Sequence, residues 1–289
     1  MSTPRSFTRA CWTFCLTTMM WVWLAVPQAI ASAKIDGATI LQGSAIEGGM
    51  IIASTQPGSK IKIDNEAVPI SADGLFLVGF HHQTDAPVTV EINTPDGTTY
   101  RTRLMAEQRD YDIQRIDGLE KKMVTPPPDV LERIKNDSKA VQAARLRIAP
   151  MGDFASGLDW PVTGRISGVF GSQRILNGKP RQPHYGIDIA APRGTPVLAP
   201  ASGRVTLVMD LYFSGYTILM AHGLGLNSSF LHLDNVAVST GEQVQRGALL
   251  GWVGSTGRST GPHLDWRLDW MGRRLDAALI AGPMPEQQP

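Results

Sequence analysis

Two short phrases, His184-Tyr185-Gly186-Ile187-Asp188 and Pro262-His263-Leu264-Asp265-Trp266, commit the ends of the Pro183-to-Trp270 stretch to extended chain. Gly186 and Pro262 interrupt any helical register there, and Ile187 and Ile189 favour strand. Side chains two or four apart in a strand share a face. His184 with Asp188, and His263 with Asp265, are therefore expected to look into one cleft. Leu231-His232-Leu233 lies between them, so the window also carries a buried-looking histidine. Two imidazoles and two carboxylates converging from two strands form a donor set for a divalent metal. Histidine nitrogen and carboxylate oxygen are ordinary zinc ligands, and a catalytic zinc needs three protein ligands plus an open position.

The rest of the chain reads the same way. Gly and Pro, 29 and 20 of 289 residues, punctuate many short apolar runs and few long helical ones, which predicts a mainly β protein. Hydrophobic residues at 43% exclude a disordered chain, and a net charge of +1 gives no nucleic-acid footprint. The length allows two domains.

Residues 1–33 are expected to be a signal peptide. Arg5 and Arg9 supply a positive start, Ala10 to Ala33 is uncharged, and Ala31-Ser32-Ala33 is a small-residue cleavage site. The competing reading is an uncleaved anchor, since such a run could span a bilayer. Cleavage before Lys34 would leave 25 basic and 26 acidic residues and no stable membrane span. Cys11 and Cys15 are the only cysteines, so the mature chain would hold neither disulfide nor thiolate ligand.

Residues 34–123 read as a small β-sandwich domain, with strands expected at 45–52, 60–63, 75–78 and 88–92. His81-His82 is expected at the surface, because neighbours in a strand face opposite ways and make poor joint ligands. Pro126-Pro127-Pro128 opens a linker, 124–149, whose helix is expected over 129–147 with Asp129 as a possible cap. Residues 150–289 return to strands. Gly194-Thr195-Pro196-Val197 and Gly241-Glu242-Gln243-Val244 echo each other, hinting at an internally repeated, biotinyl-like antiparallel fold (a duplicated hybrid motif).

Over about Trp160 to Asp276 the chain resembles the lysostaphin-type, LytM-like zinc metallopeptidases that cut cell-wall peptides. The resemblance rests on an ordered set: Val169-Phe170-Gly171, His184-to-Ile189, Gly194-to-Val197, Ala221-His222-Gly223, Leu231-His232-Leu233 and the run from Ser255 to Asp265. Carried over by position, it implies His184 and Asp188 as zinc ligands and His232 and His263 as catalytic histidines. The family's third ligand is the last histidine of a His-x-His motif. Here that place holds Asp265, which is expected to ligate as a carboxylate. Arg174, Asn177, Arg181 and Arg258 lie in loops beside the motifs, as cleft residues for substrate carboxylates or as solvated charges. His222 is expected to be structural.

The resemblance implies zinc (Zn2+) as cofactor, with manganese made more competitive by the oxygen ligands. His232 and His263 would assist water deprotonation, stabilise the oxyanion or protonate the leaving amine. The substrate implied is the peptide crosslink of peptidoglycan, cut by a zinc endopeptidase in the bacterial envelope, in the periplasm, with envelope proteins as partners of the N-terminal domain. The alternative is an inactive cell-wall module that recruits or activates another hydrolase.

Overall fold

The computed structural model describes residues 33–147, 149 and 152–285. Apart from Ala33, the expected signal segment lies outside the described residues. Strands dominate, as the punctuated sequence predicts. Two small antiparallel sheets form the N-terminal part. One orders Thr39–Gly43, Met50–Ser54 and Leu75–Gly79, and the other orders Glu66–Val68, Lys60–Ile63, Val88–Asn93 and Thr99–Leu104. Lys60–Ile63 and Val88–Asn93 alternate strictly between buried and more exposed positions, the mark of a strand with one face on the core. Leu75–Gly79 is buried throughout, as its unbroken apolar text requires.

The C-terminal sheet has ten strands. Its main path runs Gln243–Val244, Gly203–Leu211, Gly215–Gly223, Leu226–Val236, His263–Trp270, Ile187–Ala190 and Arg165–Gly168. His263–Trp270 is therefore an interior strand, paired with Leu226–Val236 on one side and Ile187–Ala190 on the other. Trp266 and Trp270 are fully buried, and Trp160 packs edge-on against Trp266 with ring centroids 5.7 Å apart. Truncating a buried tryptophan of this kind costs about 3–5 kcal/mol. This core fixes the strand that carries His263 and Asp265.

The helix begins two residues later than the sequence predicts. Pro128–Val130 forms a 3-10 turn, and the α-helix spans Leu131–Arg145 with Val130 rather than Asp129 at its N-cap and no side-chain cap. Among the described residues no helix is long and apolar enough to cross a membrane. A shorter helix, Lys121–Val124, precedes it and is held by backbone carbonyls. Tyr212 donates to Lys122 O (3.0 Å), Arg181 to Val124 O (2.6 Å) and Arg258 to Met123 O (3.4 Å).

The N-terminal sheets and the large sheet share one core. Ile113–Ile116 pairs in parallel with Gln173–Leu176, bringing Gln114 opposite Arg174. Arg109 meets Asp276 at 2.9 Å, and Arg273 meets Asp64 at 2.7 Å. The histidine pair sits at this junction. His82 is buried at 4% exposure, contrary to the surface position expected. Its Nε2 lies 3.2 Å from Gly171 O and its ring 4.4 Å from that of Tyr111. His81 Nδ1 accepts from the Arg274 backbone N–H at 3.0 Å. The pair lies beyond the end of the Leu75–Gly79 strand, and both rings approach that of Tyr185, His81 at 6.2 Å and His82 at 5.7 Å between centroids.

Candidate metal centre

Strand register assembles the centre. Asp188 pairs directly with Asp265, and Ala190 with His263, so both carboxylates leave the sheet on one side. His184 is not in the strand: Ile187–Ala190 begins three residues after it. A backbone clasp positions it instead, with His184 N donating to Ser172 O (2.9 Å) and Gly171 N donating to His184 O (2.7 Å). Donor atoms of His184, Asp188 and Asp265 lie within 4.8 Å of one another, and all three residues are buried. Two glycines make room. A Cβ on Gly168 would overlap the Asp188 carboxylate, and one on Gly186 would overlap Asp265 Oδ1 and Arg267. Neither glycine has a left-handed backbone, so the requirement is close approach.

Each carboxylate carries a guanidinium. Arg267 grips Asp265 through both oxygens, Nε to Oδ1 at 2.9 Å and Nη2 to Oδ2 at 2.5 Å. Arg174 donates to Asp188 Oδ2 at 2.5 Å and to Gln114 Oε1 at 3.2 Å. Burial pushes both acids up, but the opposing charges win. Arg267, His184 and Arg174 hold Asp265 well below the usual carboxylate range, and His184 and Arg174 do the same for Asp188.

The two remaining histidines stand beside this set, ring centroids 4.8 Å apart. His232 Nδ1 lies 2.7 Å from Thr256 O, and His263 Nδ1 lies 2.9 Å from Gly261 O. A carbonyl only accepts, so each Nδ1 carries a proton, and in the neutral form of either ring Nε2 is the acceptor. His263 Nε2 is 3.9 Å from Asp188 Oδ1. His232 adopts a left-handed backbone, φ 64°, locked by its N–H to Ser214 O at 2.9 Å. Burial first, then His263, pushes its pKa down to about 4. His222 is elsewhere and structural, between Ser202 O (3.0 Å) and Ser228 Oγ (2.7 Å). A cavity of about 250 Å³ opens over the centre, lined among others by Arg174, Asp188, His232, Arg258 and His263.

The donor set fits a zinc-type ion. Both ring nitrogens of His184 and Oδ1 of Asp188 are buried with no hydrogen-bond partner. His184 Nε2 and Asp188 Oδ1 are 2.9 Å apart yet do not align as donor and acceptor. Buried polar atoms left this way cost about 1–3 kcal/mol each unless something else meets them. The Arg267 fork uses each Asp265 oxygen once, and a carboxylate has about four acceptor positions, so capacity remains.

Arg267 is the residue the sequence reading missed. It lies two positions after Asp265 on the same strand face, and that spacing was the available signal. Of the residues expected in loops beside the motifs, Arg174, which instead stands in the Gln173–Leu176 strand, and Arg258 line the cavity. Asn177 and Arg181 instead tie down the chain before the linker, Asn177 at Leu119 and Arg181 at Val124.

Fold and centre together define a β protein with a buried metal-type donor set flanked by two histidines held by backbone carbonyls. The sequence profile of peptidase family M23 matches residues 182–277. A crystal structure described as a peptidase M23 from Pseudomonas aeruginosa is 30% identical, covering 83% of this chain and 96% of that one with a TM-score of 0.66. The chain belongs to peptidase family M23. The peptidoglycan DD-endopeptidase ShyA of Vibrio cholerae is 36% identical over 43% of this chain and 29% of its own length. The DD-carboxypeptidase/endopeptidase Mpg of Neisseria meningitidis serogroup B is 38% identical over 42% of this chain and 28% of its own. The chain thus spans less than a third of the length of these curated relatives.

Proposed function

We propose that the protein is a zinc-dependent endopeptidase that hydrolyses peptide crosslinks of peptidoglycan after export to the bacterial envelope. The observation that carries this reading is the convergence of His184, Asp188 and Asp265 with His232 and His263 beside one cavity, which Asp188, His232 and His263 line. Family membership and the names of the curated relatives support the reaction class. Residues 1–33 support export, with the mature chain beginning near Lys34.

His184, Asp188 and Asp265 would hold the ion. Zinc supplies Lewis acidity to a peptide carbonyl and lowers the pKa of water. His232 is held neutral at pH 7 by burial, as a proton acceptor must be, and its Nε2 is the acceptor atom. His263 offers a second Nε2 at the cavity wall, oriented by Gly261 O. One imidazole can take a proton from water while the other, once protonated, returns one to the leaving amine. The backbone carbonyls that orient both rings keep them from rotating out of reach.

The test pairs zinc content by elemental analysis with mass-spectrometric digestion of crosslinked muropeptides, for wild type, His184→Ala and Asp188→Ala. About one zinc per chain and cleavage in wild type, both lost in the variants, is expected. A wild type that holds no metal and cuts nothing would overturn the reading in favour of an inactive recruiting module.

A further inference from the structure

A second, larger cavity of about 460 Å³ lies between the Leu131–Arg145 helix and the large sheet. Arg145 from that helix, Arg174, Arg258, Arg267 and Arg274 all line it, each from a different element. The carboxylates available to them are fewer. Arg174 is taken by Asp188 and Arg267 by Asp265. Arg145 and Arg274 share Asp269, at 3.8 and 3.5 Å, and neither Asp269 oxygen receives a hydrogen bond. Among the described residues Arg258 has no carboxylate partner, only Met123 O at 3.4 Å and the Phe213 ring at 4.7 Å. The one lining acid, Asp137, already accepts from Tyr212 N at 2.7 Å. Five guanidiniums therefore face the chamber against four carboxylates, Asp137 in its wall and Asp188, Asp265 and Asp269 behind it.

Two features show what such a chamber favours. Burial and then neighbouring arginines push Arg258 and Arg145 down to about 10, so the local field already penalises positive charge. An anion entering there relieves repulsion as well as forming charge-assisted bonds. The lining is otherwise largely apolar, with Ile134 and Val141 from the helix and Leu211, Leu219 and Leu231 from the sheet. Arg174, His232 and Arg258 line both cavities, so whatever occupies the larger one reaches the candidate metal centre.

We propose that this arginine-lined chamber is a carboxylate-binding subsite that holds a free carboxylate of the peptide substrate, with the adjoining aliphatic side chain against the helix. This rests on the peptidase reading and adds a substrate requirement to it: a peptide with a free carboxylate is preferred over the same peptide as a carboxamide. Arg258 supplies the unshared guanidinium and Arg145 the second contact.

The test is calorimetric titration of the full chain with an acetyl-Lys-Ala-Ala tripeptide, as free acid and as carboxamide. The free acid should bind roughly tenfold tighter, the worth of about one charge-assisted hydrogen bond. Arg258→Gln should bring the two forms to near parity while leaving carboxamide binding unchanged, and Arg145→Gln should lower the acid preference independently. Unchanged melting temperatures exclude misfolding in either variant. Equal binding of acid and carboxamide to wild type, or an acid preference surviving both substitutions, overturns the subsite. Because the readout is binding, an acid preference in a chain that cuts no crosslink leaves the subsite standing and refutes the peptidase reading alone. Cleavage of crosslinks with no acid preference does the reverse.

Discussion

Asp188 and Asp265 are direct cross-strand partners on two interior strands of the large sheet, and each is bound to its own arginine. Two like charges directly opposite one another destabilise a strand pair. Here Arg174 and Arg267 remove that penalty, so the acids stay ionised and adjacent inside the protein. The arrangement keeps two anionic oxygens close to His184 without a cation being needed to hold the strands together.

Asp265→Ala is expected to abolish zinc retention and cleavage and to strand the Arg267 guanidinium. Arg267 is 28% exposed, so water offsets part of the loss, and destabilisation of about 2–3 kcal/mol is expected. Adding Arg267→Gln should recover most of the stability but none of the zinc. Asp265→His should retain metal through its nitrogen, again with stability restored by Arg267→Gln. Urea denaturation and elemental analysis on the four variants check this. Full zinc occupancy in Asp265→Ala would remove Asp265 from the ligand set.

Gly186→Ala should act on the same centre from the opposite side. Its new methyl group would collide with Asp265 and Arg267, costing about 1–3 kcal/mol and weakening zinc affinity. Gly261→Ala is the control, since a Cβ there meets nothing and the Gly261 carbonyl that orients His263 is kept. A competitive chelator titration reads the affinities. Equal zinc affinity in both variants would show that the close packing at Gly186 is irrelevant to the ion.

Acid should unfold the protein partly through His222. Burial pushes its pKa from 6.5 to about 4. Between those values the unfolded chain binds the proton and the folded one does not, so stability falls as pH falls through that window. The His222 share is roughly 2 kcal/mol at about pH 5 and near zero above about pH 7.5. His232 contributes with the same sign. His222→Gln should therefore remove only part of the difference between urea midpoints at the two pH values. A variant as acid-sensitive as wild type would contradict the assignment.

Removing residues 34–147 should damage the candidate centre as well as the N-terminal part. Gln114 orients Arg174, and Arg174 holds Asp188. A chain beginning at Ala149 is expected to melt lower and hold zinc more weakly than one beginning at Lys34. Differential scanning calorimetry with zinc analysis decides it, and identical values would show the N-terminal residues to be dispensable.

Much of this was legible in the sequence because strand parity is a strong constraint. The i, i+2 spacing of His263 and Asp265 put both on one face, and the strand carries them so. For His184 the same rule brought the residue to Asp188 by the wrong route, because it assumed strand conformation where a backbone clasp does the positioning. It also put His82 at the surface. Strand alternation does not apply there, because the pair follows the Leu75–Gly79 strand in a turn, and Tyr111, Phe170 and Tyr185 pack around His82. The parallel pairing of Ile113–Ile116 with Gln173–Leu176 left no pattern to read, since these short strands combine exposed and half-buried positions and meet across the whole linker. The ion pair of Arg267 with Asp265 followed from the parity argument and needed only that charge be weighed alongside ligand chemistry.

His232 and His263 are aligned by the carbonyls of Thr256 and Gly261, both in the loop that runs into the central strand. Neither ring relies on an ion for its orientation. A site built this way is prearranged: the chain can fold while unloaded and take up an ion afterwards without moving either ring. Stripping and reloading it at the bench should be a reversible cycle that leaves the imidazole pair where the backbone put it.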